Sequence, residues 1–182
     1  MDLRLEGKQI VLRPVHRSDA PSICANAKDR EIGRFTHVPH PYQIKNAYDF
    51  IKGVRRWERQ KQVVLLGIEN RETGEIVGII NLFHIDRPNR HAEVGYWLGK
   101  KHWRRGIMSE ALHLMLDYAF REMKLVRVSA KVFHPNTASA KLLEKSGFKL
   151  EARLRKIAFH HRHWYDDLCY GILKEEFRRG GV

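Results

Sequence analysis

The chain has 182 residues, 43% of them hydrophobic and 30% charged, which fits one soluble globular domain spanning 1–182 with a folded core over about residues 8–174. Its 34 Lys and Arg outnumber 21 Asp and Glu, giving a net charge of +13 that attracts phosphates, nucleic acid or acidic protein and repels polycations. No apolar run approaches membrane-spanning length, the start M-D-L-R-L-E-G-K has no signal-peptide core, and Cys24 and Cys169 make neither a disulfide framework nor a metal knuckle, so a cytoplasmic location is expected.

The segment Leu3–Glu6 and Gly7 lead into a strand over Gln9–Pro14. Ser18 is placed to cap a helix reaching Ala27, with Asp19 in its first turn, where the helix dipole favours negative charge. Residues 30–42, with Pro39 and Pro41 around His40, read as a loop or a short helical turn. Gln43–Gln60 is an amphipathic helix with Ala47, Phe50, Ile51, Val54 and Trp57 on one face. Val63–Glu69 is a strand, and E-T-G-E at 72–75 turns into the next, Ile76–Ile85. R-P-N-R at 87–90 turns again into a strand over 92–98. Gly95 inside it marks a bulge or a close backbone approach.

A basic loop over 99–105 ends on Gly106 and opens a helix with Ile107, Ala111, Leu114, Met115, Tyr118 and Ala119 on one face. Val126–Phe133 is a strand that alternates Val126, Val128, Ala130 and Val132 to one side. H-P-N at 134–136 breaks it, and Thr137–Ser146 is a helix stopped by Gly147. Phe148–Ala158 and Trp164–Leu173 are the last strands, joined through His160–His163 and followed by a basic tail. The order β-α-α-β-β-β-α-β-α-β-β is that of an α/β domain, a mixed central sheet flanked by helices. Strands 92–98 and 126–132 flank one helix, so a right-handed crossover makes them parallel. Ligands of such sheets sit at the carboxyl ends of the strands, where the glycine loop lies.

That loop has the chemistry of an anion cradle. The first amides of a helix have no intrahelical partner, the dipole favours negative charge there, and Gly106 permits positive φ and close backbone approach. Arg104 and Arg105 add cationic arms. The loop contains neither Gly-x-x-x-x-Gly-Lys-Ser/Thr nor Gly-x-Gly-x-x-Gly. Taken alone, phosphate binding and a glycine kept for loop geometry are equally good readings.

Three pieces in order, A-E-V-G-Y-W-L, H-W-R-R-G-I-M-S-E-A and N-T-A-S-A-K-L-L-E-K-S-G-F, resemble the GNAT superfamily of acyl-CoA-dependent N-acyltransferases. With the closing W-Y-D-D-L-C-Y-G-I-L-K-E-E-F they look closest to its RimJ/RimL-type branch, which acetylates protein amino termini, and the resemblance covers nearly the whole chain. It implies the GNAT fold, splayed parallel strands at the cofactor site, acetyl-CoA as cosubstrate and no metal. It assigns the pyrophosphate to Trp103, Arg104, Arg105, Gly106, Ile107, Met108 and Ser109. Against the superfamily pattern Gln/Arg-x-x-Gly-x-Gly/Ala, Trp103 is what the branch looks like, whereas Met108 crowds the loop. If the strands splay, the pantetheine arm enters as a pseudo-strand against the backbone of Trp97 and Leu98. Asn136 then offers its amide to that arm, or is a plain helix cap; Lys141 reaches a phosphate, or is solvated.

The implied reaction is direct attack of an amine on the thioester. A peptide α-amine, with a reference pKa of about 7.7–8.0 against about 10.4 for lysine, needs only a modest base. Glu93, at the head of the 92–98 strand, is the candidate carboxylate, with an ion-paired surface glutamate as the alternative. Backbone N–H near Leu98 is a candidate oxyanion donor. For the proton to the thiolate the resemblance points to Ser139, with Tyr170 as a second candidate. Asp166 matches a branch-typical acidic residue that positions substrate. His160, His161 and His163 beside Asp166 and Asp167 are read as a histidine-rich turn rather than a metal site.

The implied partners are acetyl-CoA and a protein or peptide acceptor, ribosomal proteins among the candidates. Nucleic-acid contact through the basic surface is allowed but not required; no membrane is involved, and the state is monomer or homodimer. Two alternatives stay open: a polyamine or aminoglycoside acetyltransferase, and a non-catalytic basic RNA- or ribosome-binding module. The net charge, with no dense acidic cluster in the amino-terminal helices, ranks protein amino termini above polycations.

Overall fold

Two-residue alternation along the strands sorts the apolar side chains onto the two faces of one sheet, and each face is covered by different helices. The structure is a computed structural model describing residues 3–60 and 63–178, the side chains of 55 and 58 excepted; Gly180 and Gly181 of the tail lie outside the described residues. The strands are β1 (Leu5–Glu6), β2 (Ile10–Arg13), β3 (Val64–Asn70), β4 (Ile76–Asp86), β5 (His91–Leu98), β6 (Arg127–Phe133), β7 (Lys149–His160) and β8 (His163–Leu173). The helices are α1 (Ala20–Ala27), α2 (Arg30–Arg34), α3 (Ile44–Arg59), α4 (Ile107–Arg121) and α5 (Thr137–Lys145). The sheet order is β1-β2-β3-β4-β5-β6-β8-β7, and only β5 and β6 pair in parallel.

On one face Leu66, Ile68, Ile80, Leu82, Val94, Val128 and Ala130 form a core with α4, which buries Ile107, Ala111, Leu112, Met115, Leu116, Ala119 and Phe120. The apolar stripe of α4 is therefore wider than the expected one, while Leu114 and Tyr118 stay half-buried at its edge. On the other face Leu65, Ile76 and Ile79 pack with Ala20 and Ile23 of α1 and Ala47, Ile51 and Val54 of α3. Burying each such aliphatic side chain stabilises the fold by about 1.5–3 kcal/mol.

The parallel β5–β6 pair forms through the α4 crossover as expected, but it is short. Only His91↔Arg127, Ala92↔Val128 and Glu93↔Ser129 are in register. β5 then stays with β4 to Leu98, and β6 stays with β8 to Phe133. The two strands part just after Glu93.

Several local expectations give way to stronger interactions. Ser18 caps no helix: residues 17–19 form a 3-10 turn and α1 begins at Ala20. Asp19 is bound by Arg13 Nη1 at 2.8 Å and by the His16 N–H at 2.7 Å, and Arg13 also holds Glu69. The 30–42 segment contains α2, capped by Asp29, whose carboxylate accepts from the Glu31 N–H at 2.9 Å. Gly95 sits in unbroken register opposite Asn81, without a bulge; a Cβ there would lie 2.9 Å from Asn81 Oδ1 and 3.1 Å from Phe83. The last hairpin closes on His161 and Arg162, with φ of 46° and 66°, so its strands run further than their composition suggests.

Candidate active site

The gap between β5 and β6 opens into a cavity of about 1560 Å³ that reaches both faces of the sheet. Strand parity decides what each face contributes. Val94, Tyr96 and Leu98 turn to the α4 side, and Glu93, Gly95 and Trp97 to the α3 side.

On the α4 side, the loop over 103–106 and the first turn of α4 line the cavity. Gly106 has φ +78° and Arg104 φ +61°, so two of three successive residues are left-handed. The first α-helical bond is Glu110 N–H to Gly106 O at 3.0 Å, which leaves the amides of Ile107, Met108 and Ser109 ahead of it. A Cβ at Gly106 would meet nothing nearer than Gln9 Nε2 at 3.8 Å, so the space above the helix end is open. Arg104 and Arg105 are exposed beside it, and Lys141 and Lys145, one turn apart on α5, also line the cavity. These groups fit a pyrophosphate. Met108 is half-buried in the lining, beside that open space rather than across it.

Trp103 fastens the loop to the end of β5, its indole N–H donating to Leu98 O at 2.7 Å. Gly99 N–H bonds Val77 O at 2.8 Å on the β4 side, and bonded pairs alternate along an antiparallel ladder. The backbone groups of Tyr96 and Leu98, rather than those of Trp97, therefore turn toward the gap. Trp97 lines the opposite face. Glu110, buried in α4, accepts from the Gln9 N–H at 3.1 Å and from the Lys8 N–H, anchoring the helix start to the chain before β2.

Ser139 lies one turn into α5, and its Oγ is 2.8 Å from the Tyr96 hydroxyl. Burial pushes the Tyr96 phenol up to about 12, and the weaker pull of the Ser139 hydrogen bond does not offset this. Asn136 is the α5 cap, its Oδ1 accepting from the Ser139 N–H at 3.2 Å. That arrangement holds Ser139 beside Tyr96 at the gap, and both Asn136 and Ser139 line the cavity. Tyr170 does not join them: it is 1% exposed in the core and donates to Glu144 Oε1 at 2.9 Å. The hydroxyl beside Ser139 belongs to Tyr96, which the sequence reading passed over. Parity puts Tyr96 on the face of Val94 and Leu98, and the fold sets α5 against that face.

On the α3 side Glu93 stands where the strands part, half-buried, with Lys131 Nζ at 3.4 Å and His84 Nδ1 at 3.5 Å. Asp167 of β8 lines the same face. It is 9% exposed, and its Oδ1 has no hydrogen-bond partner among the described residues. Burial holds its pKa above the usual carboxylate range and Glu93 adds to this, while Lys131 opposes. Asp166 points elsewhere: it binds Arg153 Nε at 2.7 Å and the Lys156 N–H at 2.8 Å, bracing β7 against β8. Of two adjacent aspartates, alternation brings Asp167 into the cavity and leaves Asp166 outside its lining.

A family model for the acetyltransferase (GNAT) domain matches residues 9–149. The uncharacterized N-acetyltransferase YoaA of Bacillus subtilis (strain 168) is 33% identical over 170 residues, covering 93% of this chain and 96% of that protein. The chain belongs to the GNAT acetyltransferase family. The solved structure of Mycobacterium smegmatis RimJ in complex with CoA-disulfide superposes with a TM-score of 0.84 at 27% identity, covering 94% of this chain and 85% of that one. The ribosomal-protein-serine acetyltransferase of Escherichia coli (strain K12) is 33% identical over 94 residues, 52% of each chain. The protein is thus an acetyl-CoA-dependent N-acetyltransferase of RimJ/RimL-like type.

Two further features of this acetyltransferase come from tertiary contacts. His160 and His161 turn their Nε2 atoms to Gly33 O, at 2.9 and 3.1 Å, so the β7–β8 tip reaches α2, which gives Glu31 and Ile32 to the cavity lining. His102, buried in the lining beside the basic loop, has no partner for either ring nitrogen among the described residues. Burial, then Lys101 and Arg105, hold its pKa below the ordinary histidine range, keeping it neutral beside the cradle. No described helix is long and apolar enough to cross a membrane.

Proposed function

We propose that this acetyltransferase modifies the α-amine of a polypeptide amino terminus. The observation that carries the reading is the polarity of the cavity. Exposed cations and helix amides occupy its α4 side, and the carboxylates of Glu93 and Asp167, with Lys131 beside Glu93, occupy its α3 side, with the strand gap between. Acetyl-CoA, held by the 103–109 loop and the gap backbone, supplies the thioester. Glu93 takes the proton from the attacking amine, so that the N–C bond forms as the C–S bond breaks. Tyr96, kept protonated by burial, donates a hydrogen bond to Ser139, whose own O–H is then free to hydrogen-bond the departing thiolate without giving up its proton. A thiol of pKa about 8.5 leaves readily as the thiolate and takes its proton from solvent afterwards, so this hydrogen bond is the lighter contribution.

An α-amine suits one carboxylate better than a lysine ε-amine does, because deprotonating the latter at neutral pH costs about 3 kcal/mol more. Likeness to RimJ and to a ribosomal-protein-serine acetyltransferase supports a protein acceptor. One observation favours a small-amine reading in second place. Glu31 and Asp49, on α2 and α3, join Glu93 and Asp167 in the lining, so the local field opposes the net charge of +13. Mass spectrometry of a peptide and ribosomal-protein panel incubated with labelled acetyl-CoA, run beside spermidine, separates the two. The reading expects label on free amino termini and poor turnover of spermidine at every salt concentration. Efficient spermidine acetylation with no labelled amino terminus overturns it.

A further inference from the structure

The α3 side of the cavity holds more than a base for the amine. Asp167 lines the cavity and is nine-tenths buried, and its Oδ1, itself closed off from solvent, has no hydrogen-bond partner among the described residues, a costly arrangement unless a donor arrives from outside the chain. Glu93 lines the same face, with Lys131 beside it. Around the carboxylates the wall is apolar: Tyr42 and Phe50, Leu65 and Ile79, Phe83 and Trp97. Gly95 puts no side chain into this wall, and a Cβ there would crowd Phe83 and Asn81. The other acids leave the interior apolar, since Glu31 lies 3.6 Å from Arg34 and Asp49 is exposed.

An acceptor filling this space needs one cationic or N–H-bearing end and an apolar body close to it. A polyamine instead would lay its further ammonium groups against aromatic and aliphatic carbon. A peptide beginning with glycine or serine would leave the wall uncovered. We infer that the acceptor is a primary amine with a large apolar side chain on the adjoining carbon, its N–H groups received by Asp167 and Glu93 and its side chain by the aromatic wall. This rests on the reading that the Glu93 face is the acceptor side.

The test is a peptide series identical but for the first residue (Gly, Ser, Asp, Leu, Phe), with phenylethylamine and putrescine as single amines. Leu- and Phe-first peptides should exceed Ser- and Gly-first ones in kcat/KM by about tenfold or more, the discrimination that one buried apolar side chain provides. Asp167→Asn should raise the acceptor KM by about tenfold while the KM for acetyl-CoA stays at the parent value, a split that general loosening of the fold would not give. A flat peptide series, or an unchanged acceptor KM in Asp167→Asn, overturns the inference and leaves amino-terminal acetylation standing. If no peptide is acetylated, the amino-terminal reading fails, and the single amines decide the inference: phenylethylamine preferred over putrescine upholds it, the reverse overturns it. If nothing turns over, calorimetric titration of phenylethylamine and putrescine onto the CoA-loaded protein decides in the same way.

Discussion

The two sides of the cavity are built by different rules. The cosubstrate side comes from two continuous stretches, 96–109 and 136–145, in which a strand end, a glycine loop and two helix starts follow one another in sequence. Its charged groups are exposed and positive, and its central contacts are backbone amides. The proposed acceptor side is assembled from α2, the 35–42 segment, α3, β3, β4, β5, β6 and β8, each giving between one and six residues. Its inner charges are the carboxylates of Glu93 and Asp167 with Lys131 beside them, set among aromatic and aliphatic side chains. Backbone amides serve any pyrophosphate, so the first side can be generic. Side chains drawn from many elements can change one at a time, so the second carries whatever selectivity the enzyme has.

The contrast breaks most visibly at Glu93. Glu93→Gln keeps the shape of that side and removes the proposed base, so kcat should fall by about 100-fold or more. Affinity for acetyl-CoA should stay at the parent value, because Glu93 faces away from the cradle. Single-turnover kinetics across pH, with CoA binding measured in parallel, checks both parts; an unchanged pH–rate profile would place the base elsewhere. Gly106→Val attacks the opposite side. The added Cβ enters open space, 3.8 Å from its nearest neighbour, Gln9 Nε2, but the side chain fills the volume proposed for pyrophosphate. It also strains a backbone at φ +78° by about 1–2 kcal/mol. Calorimetry should show CoA affinity reduced by about tenfold or more in a protein whose circular dichroism is that of the parent.

A smaller effect distinguishes the two tyrosines. Tyr96→Phe removes the partner of Ser139 and should lower kcat by at most about tenfold, since the thiolate needs little help. Tyr170→Phe removes the hydrogen bond to Glu144 and should leave kcat alone while costing about 1 kcal/mol of stability. A larger loss of turnover in Tyr170→Phe than in Tyr96→Phe would reverse the assignment.

The same contrast explains what the sequence made legible. The β5–loop–α4–β6 unit was readable because each signal is local: alternation, a glycine before an amphipathic run, and a crossover with one allowed hand. Glu93 and Ser139 came forward by way of a family resemblance carried on those same local stretches. Tyr96 and Tyr170 could not be ranked without knowing which strand face meets α5. Asp166 and Asp167 are chemically identical neighbours, and only the β6–β8 register, Phe133 opposite Asp167, decides which one enters the cavity. The two-residue turn at His161–Arg162 carries none of the glycine or asparagine that usually announces positive φ, so its contact with Gly33 O was unreadable. Ser18 failed as a cap because a residue 5 positions earlier, Arg13, claims Asp19; that competition is tertiary.

The smallest expected effect is also the one that most sharply separates a side built for a ligand from one built for stability. Burial, with Glu93 nearby, raises the Asp167 pKa in the fold, against the opposing pull of Lys131. A carboxyl whose folded pKa is raised binds its proton more tightly in the native than in the unfolded chain. Stability is then lost as pH rises from the unfolded value, about 3.9, through the folded one, and it stays lower at all higher pH. Asp167→Asn keeps the shape and removes the buried charge. At pH 7 the variant should be more stable than the parent by on the order of 1 kcal/mol, or about 2–4 °C in Tm, the scale of one unsatisfied buried polar group. The gap should narrow as pH falls through the raised folded pKa and be closed below the unfolded value, about 3.9, where Asp167 is protonated in both states. Thermal melts of the two proteins at pH 7 and at acid pH read this directly. Identical melting at pH 7 would mean that Asp167 is already satisfied in the resting enzyme, and the acceptor side would then have no unmet charge to offer an incoming amine.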